Sequence, residues 1–157
     1  MTTTAPTSRP SARTRPPAAF TIWIGLALTV LAALAPLLDL VTTGTIEAHV
    51  RATYPDWPDE WVQADTTAIA VGLGVIGLLG IISWLITLRA TIRGRRWVPI
   101  VATILWILAV TVTAYATTTP TGAYDRMVPT VLGLITALPC LAGVVAVVQL
   151  WRHRLRG

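Results

Sequence analysis

The sequence predicts an all-α membrane protein: four transmembrane helices in an antiparallel bundle, with a short helical outer loop. Three observations predict it. Four long apolar runs, at about 20–41, 64–90, 97–116 and 127–151, are each long enough to cross about 30 Å of hydrocarbon at about 1.5 Å per residue. Hydrophobic residues make up 54% of the chain and charged residues 12%, against about 25% charged in an ordinary soluble domain. The charges are also sorted. Threading the runs through a bilayer puts all seven acids near one side and ten of the twelve arginines on the other.

The sorted arginines are Arg9, Arg13, Arg15, Arg89, Arg93, Arg95, Arg96, Arg152, Arg154 and Arg156; Arg51 and Arg126 stay with the acids. Basic clusters separated by membrane-length runs follow the positive-inside rule. This reading excludes nucleic acid as a partner and puts both termini in the cytoplasm of a bacterial cell. The basic residues are all arginine, with no lysine, a bias of GC-rich coding rather than of chemistry. The single cysteine, Cys140, excludes an intramolecular disulfide, a CxxC redox pair and a cysteine zinc site.

Residues 1–19 are mostly Thr, Pro, Ala, Ser and Arg without apolar period, and read as a disordered cytoplasmic tail. The first run, Phe20 to Val41, has 22 residues, beyond the about 7–15 of a signal-peptide core, so it reads as an uncleaved span. Pro36 within it removes an N–H and predicts a kink. Asp39 sits about two residues, or roughly 3 Å, from the outer boundary. There it is either an interfacial acid, paired with Arg51 or Arg126 or simply hydrated, or an ion or proton ligand facing the bundle interior.

The segment TTGTIEAHVRAT then leaves the membrane and predicts a short interfacial helix carrying Glu47, His49 and Arg51. Tyr54-Pro55 breaks the chain. Asp56 is the expected N-cap of the next helix, with Pro58 in its first turn and Asp59 and Glu60 near its positive end. From Trp57 to about Arg93 this helix would be roughly 55 Å long, so its first turns should lie outside the hydrocarbon, with a bend expected near Asp65. Gly94 ends it, and Pro99 fits the first turn of the third span. The fourth span carries Pro139 at mid-depth and runs to Trp151. The domain plan is therefore a tail over 1–19, a transmembrane domain over 20–152 and a basic tail over 153–157.

Inside the second span, Gly72-x-Gly74-x-x-Gly77 matches a dinucleotide fingerprint as a string. It lacks the preceding strand and the aqueous helix N-terminus that the chemistry needs. Ala70, Gly74, Gly77 and Gly80 instead form a small-residue row, and Gly143 marks a similar spot in the fourth span. Such rows let helix backbones approach closely. The packing partner is either another helix of this chain or a second copy. Trp57 and Trp61 read as anchors at the outer interface, and Trp97 and Trp151 at the inner one.

The runs PLLDL, HVRATYP and LPCLAGVVAVVQLWR resemble a group of small four-helix integral membrane proteins of actinobacteria. The resemblance covers most of residues 20–152. It implies topology and bacterial origin, and no activity.

Three functions compete. A non-enzymatic membrane module, an accessory or interaction subunit of the cytoplasmic membrane, is favoured by the helix-packing glycines and the lack of a buried polar pathway. Its partners are the lipid bilayer and a membrane protein or a second copy, and it needs no cofactor or metal. It predicts that Gly77→Leu disrupts assembly while Asp39→Asn does little. A small homo-oligomeric transporter or channel would use a polar site at Asp39, Arg51 and Arg126, with carbonyls freed by Pro36 and Pro139. An enzyme would use His49, Asp56, Asp59 and Glu60 as acid–base or metal groups. Helix capping and exclusion from the cytoplasmic side already explain those acids, so the reading is not an enzyme.

Overall fold

A computed structural model describes residues 17–120, 122–126 and 128–156 and, among them, contains helices and no strand. The helices are α1 (Pro17–Asp39), α2 (Thr45–Thr53), α3 (Asp59–Ile92), α4 (Val98–Thr118) and α5 (Thr130–Arg156). All but α2 are long and apolar enough to cross a membrane, the pattern of a multi-pass membrane protein.

The ends differ from the sequence reading in ways that local chemistry explains. Residues 1–16 of the expected tail lie outside the described residues, but α1 already begins at Pro17. Ala18 and Ala19 are buried against residues near the ends of α3 and α5. α3 begins at Asp59, two residues later than expected, and Pro58 rather than Asp56 takes the cap position. Trp57 precedes that proline, and the ring clash drives such a residue out of the helical region. From Asp59 the helix runs 34 residues without interruption through Asp65, about 51 Å of rise. Its end follows expectation. Gly94 adopts φ 63°, and the Arg95 N–H reaches the Ala90 carbonyl at 3.2 Å, closing the last turn. α5 starts three residues later than expected, behind Pro129, and stays helical to Arg156.

α1 is the central helix, packed on α3 along one side and α5 along the other, while α4 packs mainly on α5. The α1–α3 seam is where the small-residue row acts. Gly77 faces Ala33 so closely that a Cβ there would stand 2.8 Å from the Ala33 Cα. Gly80 faces Thr29, and Gly74 faces Leu37. Ala70 is fully buried in a cluster with Ile69, Val62 and Tyr124. The partner of the row is thus α1 of the same chain. On the other seam Gly143 receives the edge of Trp106, whose Cδ1 would be 2.5 Å from an added Cβ.

Polar side chains in the spans are used locally or as clasps. The Thr29, Ser83, Thr87, Thr103 and Thr111 hydroxyls each donate to the carbonyl four residues earlier. The Trp84 indole N–H donates to Thr29 Oγ1 at 2.8 Å, joining α3 to α1. Those of Trp106 and Trp151 reach the Cys140 carbonyl at 2.9 Å and Thr103 Oγ1 at 3.1 Å, joining α4 to α5. Without water as a competitor, such interhelical bonds act as glue.

Candidate functional site

Two regions gather groups beyond simple helix packing. The first is the cap at the α2 end. A nine-residue helix is too short to persist alone, and its N-cap residue, Gly44, turns the chain at φ 59° and has no side chain to offer. Asp39 supplies what is missing. Its carboxylate accepts the N–H of Thr45 at 3.0 Å and of Ile46 at 2.8 Å, and the Thr43 hydroxyl. α2 then buries Ile46 and Val50 against Val62, Ile69, Tyr124, Val128 and Leu132.

The polar site read as Asp39, Arg51 and Arg126 does not converge. Asp39 is 4% exposed and holds the start of α2. Arg51 lies between Glu47 and Asp59 at 3.0 and 2.9 Å. The hydrogen bond to Asp59, then that to Glu47, raises its guanidinium pKa further. The pair is solvent-exposed and screened by salt. The Arg126 guanidinium reaches Thr130 Oγ1 at 3.3 Å, while its carbonyl meets His49 Nε2 at 2.9 Å. The side-chain partners of Asp39, Arg51 and Arg126 lie close by along the chain, whereas His49 meets Arg126 from a distant segment, and a pattern of charges alone shows neither. Among the described residues no three His, Cys, Asp or Glu side chains are grouped to hold a metal ion.

Aromatic rings fill the rest of the cap. Tyr54 stacks on Trp57 at 3.8 Å, and Trp57 meets Trp61 edge-on at 6.0 Å. Tyr124 stacks on His49 at 5.3 Å, and its hydroxyl donates to Asp65 Oδ2 at 2.5 Å. Trp61 stays exposed, as do Trp97 and Trp151 at the other end.

Burial, and then the bond to Asp65, raise the Tyr124 pKa above the usual phenol range. A folded pKa above the unfolded one gives stability that is fully present below about pH 10 and is lost as pH rises through the higher folded value. Absorbance titration at alkaline pH is therefore expected to show one late-ionising tyrosine that Tyr124→Phe removes. A variant that instead removes a tyrosine titrating near pH 10 would contradict the buried bond.

The second region is a cleft in the spans. α3 and α4 follow one another across a short turn, yet they touch little. α1 and α5 pack between them and form the floor. The result is a cavity of about 260 Å³, open along one side. Gly77, Gly80 and Trp84 line one wall, Ala102, Ala109 and Thr113 the other. It runs from Ala102 to Thr117 along α4, a rise of about 22 Å. Its polar groups already have partners. Ser83, Thr87, Thr117 and Thr136 donate to carbonyls of their own helices. Trp84 and Trp106 are held as above, and Thr113 Oγ1 lies 3.8 Å from Cys140 Sγ. Among the described residues the buried side-chain oxygen without a partner is Thr66 Oγ1, and Thr66 does not line the cleft. The chemistry on offer is apolar contact. Sequence reasoning missed this cleft, because a helix face lining a cavity and one facing lipid are equally apolar.

No family model, curated protein or solved structure matches this chain.

Proposed function

We propose that this chain is a non-enzymatic integral membrane module that acts by binding, an accessory or interaction subunit, and that the α3–α4 cleft is its binding surface. The setting is a bacterial cytoplasmic membrane, with an antiparallel bundle, α2 outside and both termini in the cytoplasm. Three features support it. Positions 25, 29, 33 and 37 of α1 meet 84, 80, 77 and 74 of α3 in that order, as antiparallel neighbours do. Acids gather at the α2 end, and the arginines of the α3–α4 turn and the end of α5 gather at the other. Positive-inside sorting makes the arginine end cytoplasmic.

The observation that carries the binding reading is the cleft itself. Interiors are ordinarily close-packed, so an apolar cavity of about 260 Å³ left open along two helices is a place for an apolar occupant. The transporter reading gains no support from Asp39, whose two oxygens are taken up by Thr43 and the backbone of α2.

A diazirine side chain short enough to leave the cleft open tests it. Placed at Ala109, on the cleft wall, it is expected to give a discrete adduct in native membranes. Placed at Leu31, which is 62% exposed on α1, it should give only diffuse lipid labelling. The same diffuse labelling at both positions would overturn the reading.

A further inference from the structure

Resting on that binding reading, we infer that the occupant of the α3–α4 cleft is an anionic phospholipid, with one acyl chain in the cleft and its phosphate on the arginines of the α3–α4 turn. The shape selects a chain. The cleft is long and narrow, about 22 Å along α4, and its lining is apolar, which matches the form of an extended acyl chain. The lining selects an apolar occupant, because its hydroxyls and indole N–H groups already have partners.

Charge selects the head. The cleft reaches Thr87 on α3 and Ala102 on α4. Arg89 follows Thr87 by two residues, about 3 Å of rise, and Arg93, Arg95 and Arg96 lie in the turn that closes that end. All four are exposed, and among the described residues the ion pairs are those of Arg51 at the opposite end. The seven Asp and Glu residues lie towards that opposite end, so among the described residues no acidic side chain neutralises the four arginines. Guanidinium groups bind phosphate oxygens in bidentate fashion. Basic pockets between spans on the cytoplasmic side hold anionic headgroups in this way. The positive-inside rule accounts for arginines at this end; it does not account for an apolar cleft about 22 Å long that ends within a few residues of them along the chain.

The test is native mass spectrometry of the full chain exchanged into mixed micelles of phosphatidylglycerol and phosphatidylcholine with identical acyl chains. The wild type is expected to retain phosphatidylglycerol several-fold over phosphatidylcholine, with the preference shrinking as salt is raised. Millimolar inorganic phosphate should not displace the bound lipid; displacement would point to a free-phosphate site and overturn the lipid assignment. Arg89→Gln with Arg93→Gln, Arg95→Gln and Arg96→Gln should bring the two lipids to equal retention. Ala109→Trp and Ser83→Phe fill the cleft from opposite walls, so that one remains informative if the other fails to fold, and either should lose both lipids. Equal retention by the wild type, or lipid kept by a folded cleft-filled variant, overturns the inference. A discrete protein adduct at Ala109 together with equal retention would sink the lipid alone and leave the binding reading standing. Diffuse labelling at Ala109 would sink both.

Discussion

Gly77→Leu is expected to separate α1 from α3 and to leave little folded protein in the membrane. A single Cβ at this position would already lie 2.8 Å from the Ala33 Cα. That neighbour is backbone, not the free end of a side chain, so relief requires α1 to move. α1 is also packed along α5 and anchors the other end through Ile22, which is fully buried with Leu88 and Ala146. Overpacking by one carbon costs about 1–3 kcal/mol when the surroundings yield, and leucine adds three more carbons at the same point. Gly77→Ala should therefore lower the melting temperature in detergent measurably, and Gly77→Leu should abolish a cooperative transition. Gly72→Leu is the control, because nothing lies within 4 Å of that position. A Gly77→Leu protein that melts like the Gly72→Leu protein would mean that the helices do not approach here.

That expectation refines what the glycine row gives on its own. Spacings of three and four residues at positions 70, 74, 77 and 80 show a face made for close approach. They do not show what approaches, and an intrachain helix and a second copy demand the same residues. The spans themselves are legible for a different reason. A helix crossing a membrane has to be long and apolar, and no other element satisfies its own backbone there. The errors fall at the ends, where local chemistry decides. Trp57-Pro58 delays α3 by two residues, and the alanines after Pro17 extend α1 backwards into helix contacts.

The cleft could not be read in this way. Its walls carry the same apolar residues as the lipid-facing sides of α3 and α4, and hydropathy cannot tell a cavity from a bilayer. Its existence depends on α1 and α5 lying between two helices that are neighbours in the chain. That is a property of packing order. The cap at the α2 end falls between the two cases. The acids are visible, and their partners are not. Asp39 finds backbone six and seven residues ahead because Gly44 reverses the chain.

Asp39→Ala is expected to release α2 while leaving the four long helices in place. The substitution strips the acceptor from the Thr45 and Ile46 N–H groups, held at 3.0 and 2.8 Å, and from the Thr43 hydroxyl. Losing a side-chain cap costs about 0.5–2 kcal/mol, and a bond to a charged acceptor up to about 3 kcal/mol when its partner is left buried. A loss of about 2 kcal/mol follows for a residue at the rim of the spans. A helix of nine residues has no reserve against it. Asp39→Asn keeps one acceptor oxygen but turns an amide N–H₂ towards a backbone donor, so its effect should be intermediate rather than slight. Hydrogen exchange over Thr45–Thr53 reads this directly. The alanine variant should exchange much faster there, the asparagine variant somewhat faster, and the centre of α3 should not change. The ranking separates two roles for one carboxylate. A cap is graded by the acceptors it retains, whereas an ion ligand would lose flux in both variants with α2 still protected. Unchanged protection of α2 in Asp39→Ala would remove the capping role and return Asp39 to the candidates for transport.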